Sequence, residues 1–325
     1  MYQETGGKRS PTCSPTYPSC SPSHPSSFVP PTFSSSSSLP HGNRPHPPAH
    51  TEPAASPSPP HQHSKTDASS PSPPSSEPGP VEQSPAEKQL YPNKSRSLSG
   101  IALRAFLLGA TLSLSLTLLL LGLIFSTPLW RLPFFFAALS TFHFLEFWST
   151  ARYNTPAANV DAFLLTANWP AYAIAHASAT VECLFTNIVF PTASWTPGPW
   201  NLTPVIVGIG LVLVLAGQFI RTTAMVQCGE SFNHIVQSTR KRSHFLVTHG
   251  VYALERHPSY LGFFWWSLGT QLVLGNVVCS VGYAVVVWRF FSARIPHEER
   301  FLLGFFGDEY IEYRRRVGTW LPFIS

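Results

Sequence analysis

A compact polar cluster stands at the start of one apolar segment, in the stretch 255-ERHPSYLGFFWW-266. His257 precedes a proline, which favours an extended backbone, and Pro258 suits the first turn of a helix. The free N–H groups of such a helix start favour anionic or polar ligand groups. A single His or Tyr here is typical of an anchor or a cap. The cluster as a whole predicts a polar binding site at the entrance of an apolar helix.

A second candidate site lies in 288-WRFFSARIPHEERFLL-303. Arg294 and Glu298 are four residues apart, so a helix would place them on one face, and Pro296 predicts that this helix starts or kinks between them. The arginine could pair with a substrate carboxylate, and the acid could hold a cation. The alternative is an exposed ion pair of little energetic weight. Arg289, one turn deeper, fits an arginine whose charged end reaches back to the membrane surface.

The elements that carry these residues are predicted to span a membrane. Residues 1–95 hold most of the 33 prolines, together with serine runs, and this composition predicts a disordered arm. The remaining chain is strongly apolar, and a spanning helix needs about 20 such residues. We therefore predict an all-α integral membrane protein with about six transmembrane helices and a C-terminal helical hairpin. The predicted spans are Ile101–Ser126, Leu132–Thr150, a tilted or broken one within Val160–Phe190, Leu202–Thr223, Tyr260–Leu274 and Val277–Ala293.

The distribution of basic residues predicts the orientation of these spans. Loops rich in Lys and Arg face the cytosol, and here they are the end of the arm, the loops after the second and fourth spans, and the tail. Both termini and the loop 221–258 are therefore expected in the cytosol. The chain is divided accordingly into the arm, residues 96–226 with four helices, and residues 227–325 with the hairpin and the cytosolic segments of a catalytic region.

Composition also bears on partners and metals. The net charge of +5 follows the orientation of the spans, and since no nucleic-acid motif accompanies it, no nucleic-acid partner is expected. The five cysteines show no CxxC or Cys/His spacing, so neither a disulfide framework nor a metal site is expected. A Gly-rich Rossmann fingerprint is missing as well, which argues against a soluble domain of that fold.

A family resemblance rests on the motifs GESFNHIVQ, HFLVTHGVYALERHPSYLGFFWWSLGTQL, VWRFFSARIPHEERFLLGFFGDEYIEYRRRV and LPFI. Together they resemble the isoprenylcysteine carboxyl methyltransferases over roughly residues 130–324. The resemblance implies S-adenosylmethionine-dependent methylation of the C-terminal carboxylate of prenylated cysteine in CaaX-processed proteins. It also implies a multi-pass protein of the endoplasmic reticulum membrane with a cytosolic active site. The implied partners are prenylated small GTPases, other lipidated peptides and membrane lipid.

The same resemblance implies roles for particular residues. Arg294 is expected to meet the substrate carboxylate. One departure from the family pattern is Asn276-Val277 at the hairpin turn, where relatives often carry Asn-Pro. The residues expected to contact S-adenosylmethionine are Gln237, His244, Phe245, Leu246, Val247, Tyr252, His257, Pro258, Ser259, Tyr260 and Glu298.

Two other functions remain open at this point. An NADPH-dependent sterol or lipid reductase could use a similar membrane fold, and it would call for more spans and extra basic residues for the 2′-phosphate. A non-enzymatic membrane scaffold could display the Ser/Pro-rich arm, and it would tolerate changes in the 227–260 cluster. Cofactor binding separates the first alternative from the methyltransferase, and mutation of that cluster separates the second.

Overall fold

The computed structural model describes residues 84–165, 169–190 and 202–324, all within one compact unit, Ser75–Ser325. These residues form helices and connecting loops, with no strand among them, so the all-α prediction is confirmed for the described part. The α-helices are α1 Pro85–Lys88, α2 Leu98–Ile124, α3 Arg131–Tyr153, α4 Trp169–Val189, α5 Thr203–Cys228, α6 Pro258–Leu274, α7 Val278–Phe306 and α8 Asp308–Arg316. Short 3-10 turns lie at Pro128–Trp130, Thr155–Ala157, Val160–Phe163, Gly229–Ser231 and Gly250–Ala253.

Ordered structure begins before residue 96, the predicted end of the arm. Ser84 and Glu87 form a capping box at α1: the Glu87 N–H donates to the Ser84 hydroxyl over 3.2 Å, and the Ser84 N–H donates to the Glu87 carboxylate over 2.7 Å. The Ser95 carbonyl also accepts a hydrogen bond from the Val160 N–H over 2.9 Å. The folded unit therefore starts further toward the N-terminus than composition indicated, and residues 1–83 of the arm lie outside the described residues.

Three of the described helices are long and apolar enough to cross a membrane: α2, the stretch Thr203–Ser231 that contains α5, and α7. They correspond to the first, fourth and sixth predicted spans, which confirms the membrane character of the protein. In contrast, α6 has 17 residues, slightly fewer than the roughly 20 of a straight span. Because α3 includes Arg131, Glu146 and Arg152, its apolar character is diluted. The complete set of six spans stays a prediction.

The third and sixth predicted spans were each expected to depart from a regular straight helix. In the third, which was expected to be tilted or broken, the described residues include a 3-10 turn, Val160–Phe163, then Leu164 with a positive φ of 60°, and the helix α4, Trp169–Val189. The positive φ at Leu164 interrupts helical structure at that residue. The sixth continues through Pro296 to Phe306, so the expectation that a helix starts at this proline is wrong, and a kink there stays a prediction. The buried Ile295 packs in the core beside the proline and holds this part of α7 in place.

The turn of the α6–α7 hairpin is anchored on α4. Gly275 adopts the left-handed conformation, with φ 80°, and ends α6. The carboxylate of Glu182 then accepts hydrogen bonds from the backbone N–H groups of Val277, Val278 and Cys279 over 2.6, 2.8 and 2.7 Å. A carboxylate at a helix N-terminus satisfies free N–H groups and the helix dipole. Val277 supplies one of these N–H groups, which a proline at this position could not.

Helices α5 and α6 approach backbone to backbone through four glycines. A Cβ atom at Gly217 would lie 2.6 Å from the Gly262 carbonyl oxygen, and one at Gly269 would lie 2.7 Å from the Gly210 carbonyl oxygen. Only residues without a side chain permit such close contact between helices. The contact places the end of α5, with Arg221, directly beside the start of α6, where the polar cluster begins.

Substitution of one of these glycines provides a test of the packing. We expect Gly217→Ala to lower the free energy of unfolding by about 1–3 kcal/mol, since the new methyl group would overlap backbone atoms that cannot move easily. Gly208→Ala on the same helix is the matched control, because a Cβ there meets nothing within 4 Å. Thermal unfolding of both variants in detergent gives the comparison. Equal melting temperatures would contradict the close α5–α6 contact.

Candidate functional site

A cleft lies where the segment between α5 and α6 meets the start of α6, the second half of α7 and α8. With its open mouth it encloses about 940 Å³ of empty space. All of the residues for which the sequence implied cofactor contact line this one cleft: Gln237, His244, Phe245, Leu246, Val247, Tyr252, His257, Pro258, Ser259, Tyr260 and Glu298. The structure thus brings together residues that are up to 61 positions apart in the chain, from Gln237 to Glu298. Their roles toward a ligand stay a prediction.

The polar start of α6 is held by the C-terminal segment. As predicted, Pro258 opens the helix and His257 before it is non-helical, but with φ −123° and ψ 55° its backbone is not the extended one that was expected. The two oxygens of Glu255 accept hydrogen bonds from the His257 N–H over 3.1 Å and from the Trp320 N–H over 2.5 Å. The Arg256 N–H donates to the Gly318 carbonyl over 3.2 Å. Burial raises the pKa of Glu255, although these two N–H groups oppose the shift.

Glu299 forms the centre of an ion cluster beneath the cleft. Only 4% exposed, it lies 3.0 Å from Arg256 Nε, 3.2 Å from His257 Nε2 and 3.5 Å from Arg314 Nε. The sequence reasoning singled out its neighbour Glu298 and missed Glu299. Helical spacing could have found it, because Glu299 follows the buried Ile295 by four residues and so shares its face of α7.

Arg294 and Glu298 meet through the hydroxyl group of Tyr260. This hydroxyl donates to Glu298 Oε2 over 2.5 Å and accepts from Arg294 Nε over 3.0 Å, while Arg294 Nη2 donates to the His234 carbonyl over 2.6 Å. In the part of the chain that the structure describes, no carboxylate lies within ion-pair distance of Arg294. The exposed Arg294–Glu298 ion pair, left open as an alternative, is not formed there.

A second buried ion pair, also missed from the sequence, lies below the start of α6. Arg221 Nε and Nη2 donate to the two oxygens of Glu146, and the second contact measures 2.8 Å. The third nitrogen of Arg221 donates to the Ser259 carbonyl over 3.1 Å and to its hydroxyl over 3.0 Å. The guanidinium carbon also lies 5.3 Å from the ring centres of Phe142 and Phe263. Charged residues within apolar spans were a signal that could have revealed this pair.

Two buried donors at the cleft have no partner within the described ranges. His244 Nδ1 accepts from the Lys241 N–H over 3.5 Å, so the neutral ring carries its proton on Nε2, which is buried and unpaired. Burial lowers the pKa of His244 and keeps the ring neutral. Arg256 Nη2 is likewise buried without a hydrogen bond. Because buried polar groups are nearly always satisfied, both donors fit a ligand with hydrogen-bond acceptors.

Apolar helices with a polar cleft at their ends define a membrane enzyme rather than a passive anchor. Known proteins agree with this class. The family model of the isoprenylcysteine carboxyl methyltransferases matches residues 209–304, which cover the greater part of α5, the cleft segment, α6 and most of α7. The protein-S-isoprenylcysteine O-methyltransferase of Saccharomyces cerevisiae is 42% identical over 240 residues, which are 73% of this chain and 97% of the yeast protein.

Further relatives extend this likeness. The Homo sapiens protein of the same name is 43% identical over 202 residues, 62% of this chain and 68% of the human one. A solved structure of a eukaryotic intramembrane Ras methyltransferase matches with a TM-score of 0.62 and 38% identity, over 69% of this chain and 77% of that chain. The chain belongs to the isoprenylcysteine carboxyl methyltransferase family, which confirms the resemblance read from the motifs.

The adjacent acids Glu298 and Glu299 provide a matched test of the ion cluster. We expect Glu299→Gln to lower the free energy of unfolding by about 3 kcal/mol or more, since Arg256 would remain buried without its carboxylate. Glu298→Gln should have a clearly smaller effect, because Glu298 is half-buried and contacts a hydroxyl group. Melting temperatures of the two purified variants make the comparison. A larger loss in Glu298→Gln would reverse the structural roles assigned to the two acids.

Proposed function

We propose that the protein methylates the C-terminal carboxylate of prenylated cysteine residues with S-adenosylmethionine as methyl donor. The yeast and human relatives carry this substrate class in their names, protein-S-isoprenylcysteine O-methyltransferase. The observation that carries the proposal is Arg294, a half-buried cation beside the cleft with no carboxylate partner among the described residues. A half-buried arginine of this kind calls for an anion from outside the chain.

Arg294 fits the substrate carboxylate by geometry as well as by charge. Its Nε and Nη2 groups are occupied by the Tyr260 hydroxyl and the His234 carbonyl, and no contact of Nη1 is recorded within the described ranges. The two occupied nitrogens fix the plane of the guanidinium group, and the third is left for a ligand. Neutral oxygens as partners orient the cation and leave its charge available to an incoming anion.

The cleft fits S-adenosylmethionine in its donors and acceptors. The unpaired His244 Nε2 and Arg256 Nη2 suit acceptor atoms of the nucleoside and amino-acid parts, and the Glu298 carboxylate suits a positive charge. Aromatic side chains that can pack on a flat base also line the cleft, among them Tyr252 and Phe301. When bound, S-adenosylmethionine supplies an electrophilic methyl group on a sulfonium, and the carboxylate oxygen receives it as a methyl ester.

The residues of the chain have to orient and desolvate the substrate rather than move protons. A carboxylate is already a nucleophile, so its methylation needs no general base. Removal of water from a carboxylate is costly unless a cation stays paired with it, and Arg294 provides that cation. The Tyr260 hydroxyl bonds to both Arg294 and Glu298 and so fixes the distance between them. The substrate carboxylate on Arg294 and the cofactor beside Glu298 are thereby held in a fixed relative position.

The membrane setting completes the proposal. We infer six spans, a cytosolic cleft and tail, and residence in the endoplasmic reticulum membrane, with prenylated small GTPases and other lipidated peptides as partners. The positive-inside pattern of the loops supports the orientation. Within the aromatic stretch that follows the polar cluster, Phe264 and Trp266 are buried in the core. Only Phe263 and Trp265 keep exposed surface there to contact a prenyl chain arriving from the bilayer.

The direct test is methyl transfer by membranes that contain the full chain. Labelled S-adenosylmethionine and N-acetyl-S-farnesylcysteine should give a base-labile methyl ester, whereas N-acetylcysteine without the prenyl chain should give almost none. NADPH should neither bind nor be consumed. Absence of the labelled ester from correctly inserted protein would overturn the proposed reaction, and NADPH-dependent reduction of a sterol would favour the reductase.

Arg294 gives the sharpest prediction of this function. Loss of one partner of a desolvated charge pair costs about 2–5 kcal/mol, so Arg294→Ala should reduce kcat/KM by about 30-fold to several thousandfold. Binding of S-adenosylmethionine should change little. Arg294→Lys should recover only part of the activity, because a lysine cannot serve three partners in one plane. Arg289→Ala, on the same helix and exposed, is the control. Near-normal turnover in Arg294→Ala would remove this residue from the mechanism.

Glu298 is expected to contribute to the binding of S-adenosylmethionine and not to that of the prenylated substrate. Glu298→Gln removes the negative charge that faces the cleft, so its main effect should be weaker binding of S-adenosylmethionine, by about tenfold for one lost charge-assisted contact. The KM for the prenylated substrate should change much less. Equilibrium binding to detergent-solubilised protein measures the first quantity, and initial rates measure the second. Unchanged cofactor affinity would place the cofactor elsewhere.

A further inference from the structure

The Glu146–Arg221 ion pair lies inside the helical bundle and takes no direct part in the proposed reaction. Burying two charges costs several kcal/mol for each ion before their attraction is counted. Both side chains are nearly inaccessible, Glu146 at 1% and Arg221 at 6% exposure. An apolar pair could fill the same space between α3 and α5. The contacts around this pair indicate what it does, because two routes lead from it to Arg294.

The first route runs through the start of α6. Arg221 Nη1 donates to both oxygens of Ser259, the carbonyl over 3.1 Å and the hydroxyl over 3.0 Å. The next residue, Tyr260, receives the Arg294 Nε hydrogen bond on its hydroxyl over 3.0 Å. Arg221 therefore fixes the backbone of the first helical turn, and this turn sets the position of the hydroxyl group that orients Arg294.

The second route runs through the segment that follows α5. His234 Nδ1 lies 3.6 Å from the Glu146 carboxylate, and His234 Nε2 lies 3.4 Å from the Thr150 hydroxyl. Burial lowers the pKa of His234 to about 4, and a neutral ring has a single N–H, which lies either on Nδ1 facing the Glu146 carboxylate or on Nε2 facing the Thr150 hydroxyl. Since that hydroxyl donates its own proton to the Glu146 backbone carbonyl over 2.8 Å, either tautomer links the ring to Glu146. The carbonyl of His234 in turn accepts from Arg294 Nη2 over 2.6 Å. The ring of His234 thus ties the second support of Arg294 to the same ion pair.

The two routes close a loop of contacts, in which Arg294 is held by two neutral oxygens and the Glu146–Arg221 pair behind them carries no net charge. A carboxylate placed directly on Arg294 would also fix it, but would compete with the substrate anion. A long arginine side chain loses much rotamer freedom when it is fixed in place. If the loop has already fixed Arg294, the substrate carboxylate does not bear that cost on binding.

We propose that Glu146 and Arg221 are positioning residues for the substrate-carboxylate site, acting on Arg294 through Ser259–Tyr260 and through His234. The inference rests on the proposed role of Arg294 toward a carboxylate. It predicts a specific property: disruption of the ion pair or of the His234 ring weakens recognition of the carboxylate and leaves recognition of the prenyl chain and of the cofactor largely intact.

The test compares two ligands that differ only in the recognised group, N-acetyl-S-farnesylcysteine and its carboxamide. Dissociation constants for both are measured on the full-length chain in detergent with S-adenosylhomocysteine present. The variants are Glu146→Gln, Arg221→Lys and His234→Ala, with Ser267→Ala as control. Ser267 is a buried residue of α6 whose hydroxyl bonds only locally, to the Phe264 carbonyl. His234→Ala keeps the backbone carbonyl and changes a partly exposed side chain, so it remains informative if a buried variant fails to fold.

The expected result is a loss of the acid-over-amide preference by about fivefold or more in the three variants, the lower end of typical coupling between sites. Amide and S-adenosylhomocysteine affinities should stay within about twofold, and Ser267→Ala should keep the wild-type preference. Equal weakening of acid and amide would indicate a general structural role and overturn the inference. So would an unchanged preference in His234→Ala.

Arg294→Ala separates failure of this inference from failure of the proposed function. If wild-type protein prefers the acid and Arg294→Ala abolishes the preference, the carboxylate site is correct, and the three positioning variants decide the inference alone. If Arg294→Ala retains the preference, or wild-type protein shows none, the carboxylate role of Arg294 is wrong and the inference is lost with it.

Discussion

The charge of Arg221 is the constraint on which much of this structure depends. A guanidinium group cannot shed its proton, so once buried it must be surrounded by acceptors on every side. Glu146 of α3 and the first turn of α6 supply them. Three helices therefore have to meet at one level of the bundle. Because α6 begins at that level, its first polar residues also lie there, next to the segment between α5 and α6 that lines the cleft.

A single step along α7 separates a site residue from a structural one. Glu298 faces the cleft and meets a tyrosine hydroxyl, while Glu299, about 100° further around the helix, is enclosed by two arginines and a histidine. Their chemistry is the same and only the rotation about the helix axis differs. Glu299 holds Arg256 and His257 in place. Glu298 is not needed for these contacts, so it can bind a ligand without disturbing the local fold.

Short sequence patterns predicted the features that depend on neighbouring residues in the chain. The proline after His257, the interruption of the third span and the hairpin turn at Gly275 were all readable, and motif resemblance found the residues of the cleft. The Glu146–Arg221 pair joins positions 75 residues apart and the Arg256–Glu299 pair positions 43 apart, and no periodicity within one segment reveals such partners. Pro296 did not begin a new helix, because α7 continues through it, and the neighbouring Ile295 is buried in the core at that point.

The four glycines between α5 and α6 have a consequence for insertions and deletions. In each helix they are seven residues apart, at 210 and 217 and at 262 and 269, so both contacts form only in one axial alignment. A slip by one turn would shift Arg221 by about 5.4 Å relative to Ser259 and break a hydrogen bond of 3.0 Å. An added or deleted residue between the glycines of either helix would rotate one contact out of the interface. The packing therefore fixes the number of residues between the two glycines of each helix.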